Sequence, residues 1–154
     1  MSRVVLLDSN PLSQVSHPKT QPKVQLWLRF LRENRISLQV PEICDYEVRR
    51  ELLRTKKQKS LERLDKLSQS YLLPLTSETM QKAAELWAWV RNQGKPTASD
   101  QSLDVDVILA SQAILQLKEF DEVIVVTTNL KHISRFENEG ICVADWQQTL
   151  DNLP

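Results

Sequence analysis

Glycine is nearly missing from this chain, with two residues in 154. Neither a GxGxxG turn nor a P-loop can be written with so few, which excludes phosphate cradles built on glycine-rich loops. Cysteine is equally scarce. Cys44 and Cys142 stand far apart without CxxC spacing, so neither a disulfide framework nor a zinc site is expected, in keeping with a reducing compartment. His17 and His132 are the only histidines, too few and too separated for a His-based centre. No apolar run approaches the roughly 20 residues needed to cross a bilayer. The opening residues, with one arginine and a short apolar run, do not form a signal peptide. The expectation is a cytoplasmic protein that makes no use of membrane. Net charge is missing as well: 20 Lys and Arg balance 20 Asp and Glu. That excludes a binder held by phosphate attraction alone, although charge gathered into patches remains compatible with nucleic acid.

What is present fits one domain spanning residues 1–154. The chain is 41% hydrophobic and 26% charged, ordinary for a globular protein of this length. Val4 to Leu7 read as a short, fully buried strand ended by Asp8, Ser9 and Asn10. Ser9-Asn10-Pro11 starts a short helix. Val24, Trp27, Leu28 and Leu31 share one helical face. Ile36 to Val40 is a second strand, stopped by Pro41, and Glu42 opens another helix. Residues 56–70 read as a helix with a solvated, charged face. Leu72 to Leu75 form a third strand, at an edge because Pro74 cannot donate to a ladder. A helix begins near Thr76 and ends over Asn92 to Pro96, with Met80, Ala83, Ala84, Trp87 and Val90 on its inner side, widened by Leu86 and Trp89. Thr97 to Ser102 read as polar loop. Leu103 to Lys118 form a buried helix, Glu122 to Val126 a fourth strand, Leu130 to Phe136 a short helix and Ile141 to Val143 a fifth strand, with a final helical turn from Ala144. Strands alternating with helices predict an α/β fold: a central, mostly parallel sheet of five strands covered on both faces.

That topology gathers acidic residues. Asp8 lies at the carboxyl end of the first strand, where open α/β sheets bind ligands. A helix after a parallel strand begins at that edge, which sends Glu47 there. A helix leading into such a strand also begins there, which sends Asp104 and Asp106. Asn129 directly follows the fourth strand. Converging carboxylates repel one another unless a cation is present. Their oxygens suit Mg²⁺ or Mn²⁺, and such an ion activates water and neutralises a phosphodiester. Each residue also has a plain structural role. Asp8 and Asn129 can cap helices. Glu47 can be solvated beside Arg50 or Glu51, and Asp104 and Asp106 suit a helix start. Asp45 and Asp100 are read as surface or capping residues, and Trp27, Trp87 and Trp89 as core.

Four stretches carry a family resemblance: Val5 to Asn10 (VLLDSN), Pro41 to Arg50 (PEICDYEVRR), Asp106 to Ala113 (DVILASQA), and Val125 to Asn129 (VVTTN) followed by His132 to Phe136 and Asp145-Trp146. In that order the sequence resembles PIN domains, specifically the VapC-like toxin ribonucleases of type II toxin–antitoxin pairs. The resemblance implies a three-layer α/β/α PIN-like fold and Mg²⁺- or Mn²⁺-dependent cleavage of RNA. Asp8, Glu47 and Asp106 match the family's three acidic catalytic positions. A fourth acid common in relatives is replaced here by Asn129, and Asp104 could supply the missing charge. The segment around residues 54–70 looks longer than in the shortest relatives. A small antitoxin and a second copy of the chain are the partners that the resemblance implies. The alternative is a catalytically impaired PIN-like module that binds RNA or a partner. An aspartyl phosphotransferase of the haloacid-dehalogenase type is disfavoured, because Asn10 stands where a second aspartate belongs. A receiver-type phosphotransfer domain is disfavoured too, because it wants an acidic pair ahead of a phosphorylated aspartate after a later strand.

Overall fold

Four consecutive side chains, Val4 to Leu7, are each at most 4% exposed. Successive strand residues point to opposite faces, so a strand buried at every position has both faces covered. In the computed structural model, which describes residues 1–94 and 100–154 apart from the side chains of 100 and 101, this strand is β1 (Arg3–Leu7). It lies at the centre of a five-stranded sheet with β2 (Ser37–Pro41), β3 (Leu72–Leu73), β4 (Glu122–Thr127) and β5 (Cys142–Asp145). The order is β3-β2-β1-β4-β5 and every pairing is parallel. β1 aligns Val5 with Leu38 on one side and with Ile124 on the other. The chain moves outward from β1 to β3, then returns to the opposite side of β1 for β4 and β5. The reversal lies between β1 and β4, and this is the crevice where open α/β sheets take ligands.

Among the described residues, eight α-helices flank the sheet: α1 (Ser9–Val15), α2 (Pro22–Glu33), α3 (Glu42–Arg54), α4 (Gln58–Tyr71), α5 (Ser77–Asn92), α6 (Asp100–Leu115), α7 (Leu130–Ser134) and α8 (Trp146–Asp151). This is the α/β/α architecture that strand–helix alternation predicts. β3 is a two-residue edge strand next to Pro74, as a residue without an N–H requires. α5 starts at Thr76, whose hydroxyl accepts from the Thr79 N–H at 3.1 Å. The turn at Gly140 has φ +107°, and a Cβ there would meet Leu117 at 3.2 Å. No helix among the described residues is long and apolar enough to cross a membrane.

Three local expectations change. Of the polar loop expected over 97–102, residues 97–99 lie outside the described residues and 100–102 already belong to α6. α5 is also rotated from the expected face. It buries Thr79, Ala83, Leu86 and Val90, while Met80, Trp87 and Trp89 are 47%, 38% and 39% exposed. α5 and α6 pack closely through small and medium side chains, which leaves the wide indoles at the flanks. There Trp87 carries the Arg91 guanidinium over its ring, 5.3 Å from the centroid, and Trp89 tilts against Phe136. Trp27 alone of the three is core, edge-on to Trp146 at 4.9 Å.

Asp45 is the third change. It is buried, not a surface or capping residue. Arg49 donates to both its oxygens, at 2.9 and 3.1 Å, and the Ser68 hydroxyl of α4 donates to Oδ2. Arg49 also reaches Asp65 on α4. α4 is thus tied to α3 through Ser68, which donates to the buried Asp45, and through the exposed Asp65. Asp45→Ala removes the partner of Ser68 and one of the two carboxylates held by Arg49, which keeps Asp65, and we expect a loss of about 2 kcal/mol. Asp65→Ala, at an exposed position, should cost under about 1 kcal/mol. Urea unfolding of both variants measures the difference, and equal midpoints would contradict the buried tie.

Candidate metal centre

The β1 ladder continues one residue past the strand: the Asp8 N–H donates to the Val126 carbonyl at 3.1 Å. This fixes the Asp8 backbone at the crevice between β1 and β4. Its side chain caps α1, with Oδ1 accepting from the Ser9 N–H at 2.7 Å. Oδ2 accepts from the buried Thr127 hydroxyl at 2.6 Å. Asp8 is therefore both a helix cap and a clamped carboxylate, 9% exposed. The two readings of this residue are compatible.

Glu47 and Cys44 come from α3, which follows β2. Three residues apart, they share one helix face. The Ser9 hydroxyl donates to Glu47 Oε1, and Arg50 lies 3.8 Å from Oε2. Glu51 pairs instead with Arg54. Ligand atoms of Asp8, Cys44 and Glu47 all lie within 4.8 Å of one another, so this group could hold a metal ion. Cys44 is fully buried, with Sγ 3.8 Å from Asp8 Oδ1. Burial first, then the charges of Asp8 and Glu47, push its thiol well above the usual range. A single cysteine without a CxxC partner carries no mark of a site in the sequence, so Cys44 does not stand out there. Its one link to the site is the i, i+3 spacing to Glu47.

Asp106 enters from the second turn of α6. Its Oδ2 is buried and has no hydrogen-bond partner among the described residues. The His132 Nδ1 lies 3.5 Å away, beyond good hydrogen-bond distance. Burial pushes the Asp106 carboxyl up to about 6, with Asp8 adding to the rise and His132 and Arg135 opposing it. Asp106 stands outside the group of Asp8, Cys44 and Glu47 ligand atoms that lie within 4.8 Å of one another.

The remaining two candidates stand differently. Asp104 is exposed and faces a groove of about 390 Å³ with Met80, Ala83, Ala84, Trp87, Val107 and Ile108. Two residues from Asp106 on a helix, it points about 200° away. Asn129 is exposed at the N-terminus of α7, and its side chain makes no capping bond. Its N–H donates to the Thr127 hydroxyl oxygen at 2.8 Å, the same hydroxyl that holds Asp8.

No protein-family model matches the sequence, and no curated protein is similar to it. Solved structures share the fold. VapBC2 from Rickettsia felis, bound to a DNA fragment from its promoter, matches at TM-score 0.72 and 19% identity, over 93% of this chain and 98% of that one. VapBC-1 from nontypeable Haemophilus influenzae matches at TM-score 0.67 and 16% identity, over 94% and 98%. FitAcB from Neisseria gonorrhoeae matches at TM-score 0.63 and 21% identity, over 90% and 95%. The chain thus shares the VapC-like PIN fold of these VapBC and FitAcB structures. The likeness runs through nearly the full length of each chain.

A carboxyl raised to about 6 is held protonated by the folded chain across a window where an unfolded aspartate, at about 3.9, is ionised. The folded state then binds more protons, so its stability falls as pH rises through that window. Above about pH 6 the metal-free fold carries the full penalty. Asp106→Asn removes it. We expect the variant to exceed the parent by roughly 1–2 kcal/mol at about pH 7.5, allowing for solvent screening, and to match it below about pH 4. Urea unfolding with chelator at both pH values measures this. An advantage that does not shrink in acid would assign the effect to packing instead.

Proposed function

We propose that this chain is a metal-dependent ribonuclease, cleaving RNA phosphodiesters as the toxin of a toxin–antitoxin pair. The observation that carries the reading is the cluster of Asp8 and Glu47 ligand atoms within 4.8 Å; Asp106 adds a buried oxygen that accepts no hydrogen bond among the described residues. Such a donor set fits a hard divalent cation, Mg²⁺ or Mn²⁺. Asp8, Glu47 and Asp106 would hold it. When bound, the ion supplies an activated water and neutralises charge on the phosphate.

The rest falls to the chain. Thr127 and the Ser9 N–H fix the two oxygens of Asp8, so little side-chain freedom is lost when a ligand arrives. Ser9 orients Glu47 in the same way. Arg50, His132 and Arg135 surround the carboxylates. These cationic or protonatable groups suit the phosphates on either side of a scissile bond. The fold likeness supports a protein antitoxin as partner, because the similar chains are drawn from VapBC and FitAB complexes. A second copy of the chain is the other partner we carry forward. The alternative is a module that keeps the fold without cleavage, favoured by the amide of Asn129 at the position of a fourth acid.

Asp8→Asn keeps the cap and removes the charge. Cleavage of a mixed RNA substrate in Mg²⁺ should fall by more than roughly 100-fold, beyond the ~10–100-fold cost of losing an outer partner. The metal-free melting temperature should hold or rise. Undiminished cleavage by the folded variant would defeat the mechanism, and inactivity of the parent at every Mg²⁺ and Mn²⁺ level would favour the non-catalytic module.

Asn129→Asp tests the fourth position. An added carboxylate should tighten Mg²⁺ or Mn²⁺ binding severalfold and lower the metal level for half-maximal cleavage, since ligand charge sets affinity in oxygen sites. Calorimetric titration measures it. No gain in binding would place Asn129 outside the coordination sphere.

A further inference from the structure

The cleavage reading uses the inner side of α3 and leaves its exposed face unassigned. Tyr46 precedes Glu47 in the chain and is 54% exposed. Arg50, one helical turn on, links the two. Its guanidinium carbon lies 5.0 Å from the centre of the Tyr46 ring, and Nη2 lies 3.8 Å from Glu47 Oε2. An aromatic ring and a cation therefore flank a carboxylate of the candidate centre. These are the two kinds of group that bind a single strand: a ring stacks on a base, and a cation meets a phosphate. The same helix leads to a second feature. Leu53 shares the face of Tyr46 and Arg50 and is exposed, as is every residue from 53 to 59. That stretch, LRTKKQK, carries four cations and no acid in a chain whose total charge is zero. Arg54 pairs with Glu51, whereas Lys56, Lys57 and Lys59 enter no ion pair among the described residues. The stretch begins about 10 Å along the helix from Glu47.

Resting on the ribonuclease reading above, we propose that the exposed face of α3 and the turn into α4 form a track for single-stranded RNA: Tyr46 stacks on a base beside the scissile phosphate, Arg50 holds the neighbouring phosphate, and Lys56, Lys57 and Lys59 hold phosphates farther along. Arg50 against the ring limits its freedom before a strand arrives, so less side-chain entropy is lost on stacking. A base–aromatic stack tolerates any base, because every base has a π-face, so the track binds without strict sequence choice. A duplex offers Tyr46 no free base, and the track therefore favours single strands. The ring also favours RNA over an acidic protein segment, which could meet the lysines but carries no base to stack.

Fluorescence anisotropy with a labelled, mixed-sequence single-stranded RNA of about ten nucleotides tests the track apart from cleavage. The full-length chain carries Asp8→Asn and chelator is present, so the strand stays intact. The added change Tyr46→Ala should weaken binding at least about fivefold, the low end for loss of one base stack. Tyr46→Phe keeps the stacking face and should stay within about threefold of the tyrosine protein. Lys56→Gln, Lys57→Gln and Lys59→Gln together should lower the slope of log affinity against log salt by about 2, at about 0.7 for each phosphate contact on a single strand. The same strand annealed to its complement should bind more weakly and be indifferent to Tyr46→Ala. Absence of binding, an affinity unchanged by Tyr46→Ala, or a salt slope unchanged by the lysine substitutions would overturn the track. Tighter binding of polyglutamate than of RNA would overturn it too and assign the face to an acidic protein segment. Cleavage in Mg²⁺ separates the two readings. A chain that cuts RNA as well without these side chains defeats the track alone, and a chain that binds along the track and never cuts defeats the ribonuclease reading alone.

Discussion

The arrangement depends on holding negative charges close together at the end of β1 in a nearly buried place. Like charges at such separations raise one another's proton affinity; at Asp106 burial comes first, with Asp8 adding to it, and the carboxyl is pushed up to about 6. The surrounding structure holds the groups in place against that repulsion. Asp8 is clamped by a strand N–H bond, a helix cap and a threonine hydroxyl. Glu47 is held by Ser9 and Arg50. These contacts come from β1, α1, α3 and β4, so four elements converge to keep two carboxylates where free side chains would move apart.

The sheet order explains why convergence happens at this point. With β2 and β4 on either side of β1, the connections diverge and a crevice opens at the carboxyl ends. Asp8 closes the floor of that crevice. Thr127 reaches it from the adjacent strand. Glu47 and Asp106 descend from helices whose N-termini lie at the same edge. An arrangement of this kind concentrates unfavourable electrostatics at one place, as functional sites commonly do.

Ion pairs elsewhere follow different physics. Arg29 with Glu33 and Arg54 with Glu51 are exposed neighbours on single helices and contribute little. The Asp45–Arg49–Ser68 group joins two helices around a buried carboxylate. Charge counting along α3 and α4 cannot separate the two kinds. An aspartate with arginine four residues later looks the same in sequence whether the pair is solvated or buried. What separates them is whether a second helix lies on top.

Local pattern carried most of the architecture. The uninterrupted apolar run of Val4 to Leu7, the β-branched run into Thr127 and Pro74 beside a short strand determined the parallel sheet and its edge, because full burial and missing N–H groups leave direct marks in composition. Strand-end reasoning sufficed to bring Asp8 and Glu47, whose ligand atoms lie within 4.8 Å, to one rim. It did not separate Asp104 from Asp106, since helix phase decides which of two nearby carboxylates turns inward. Nor did it find Cys44, whose significance depends on what stands opposite. The face of α5 was decided by tertiary packing too: Ala83, Leu86 and Val90 let α6 approach, and Met80, Trp87 and Trp89 were left outside. Hydrophobicity tells which residues prefer burial. Which of them achieve it depends on the shape of the neighbouring helix, and that shape exists only in the folded chain.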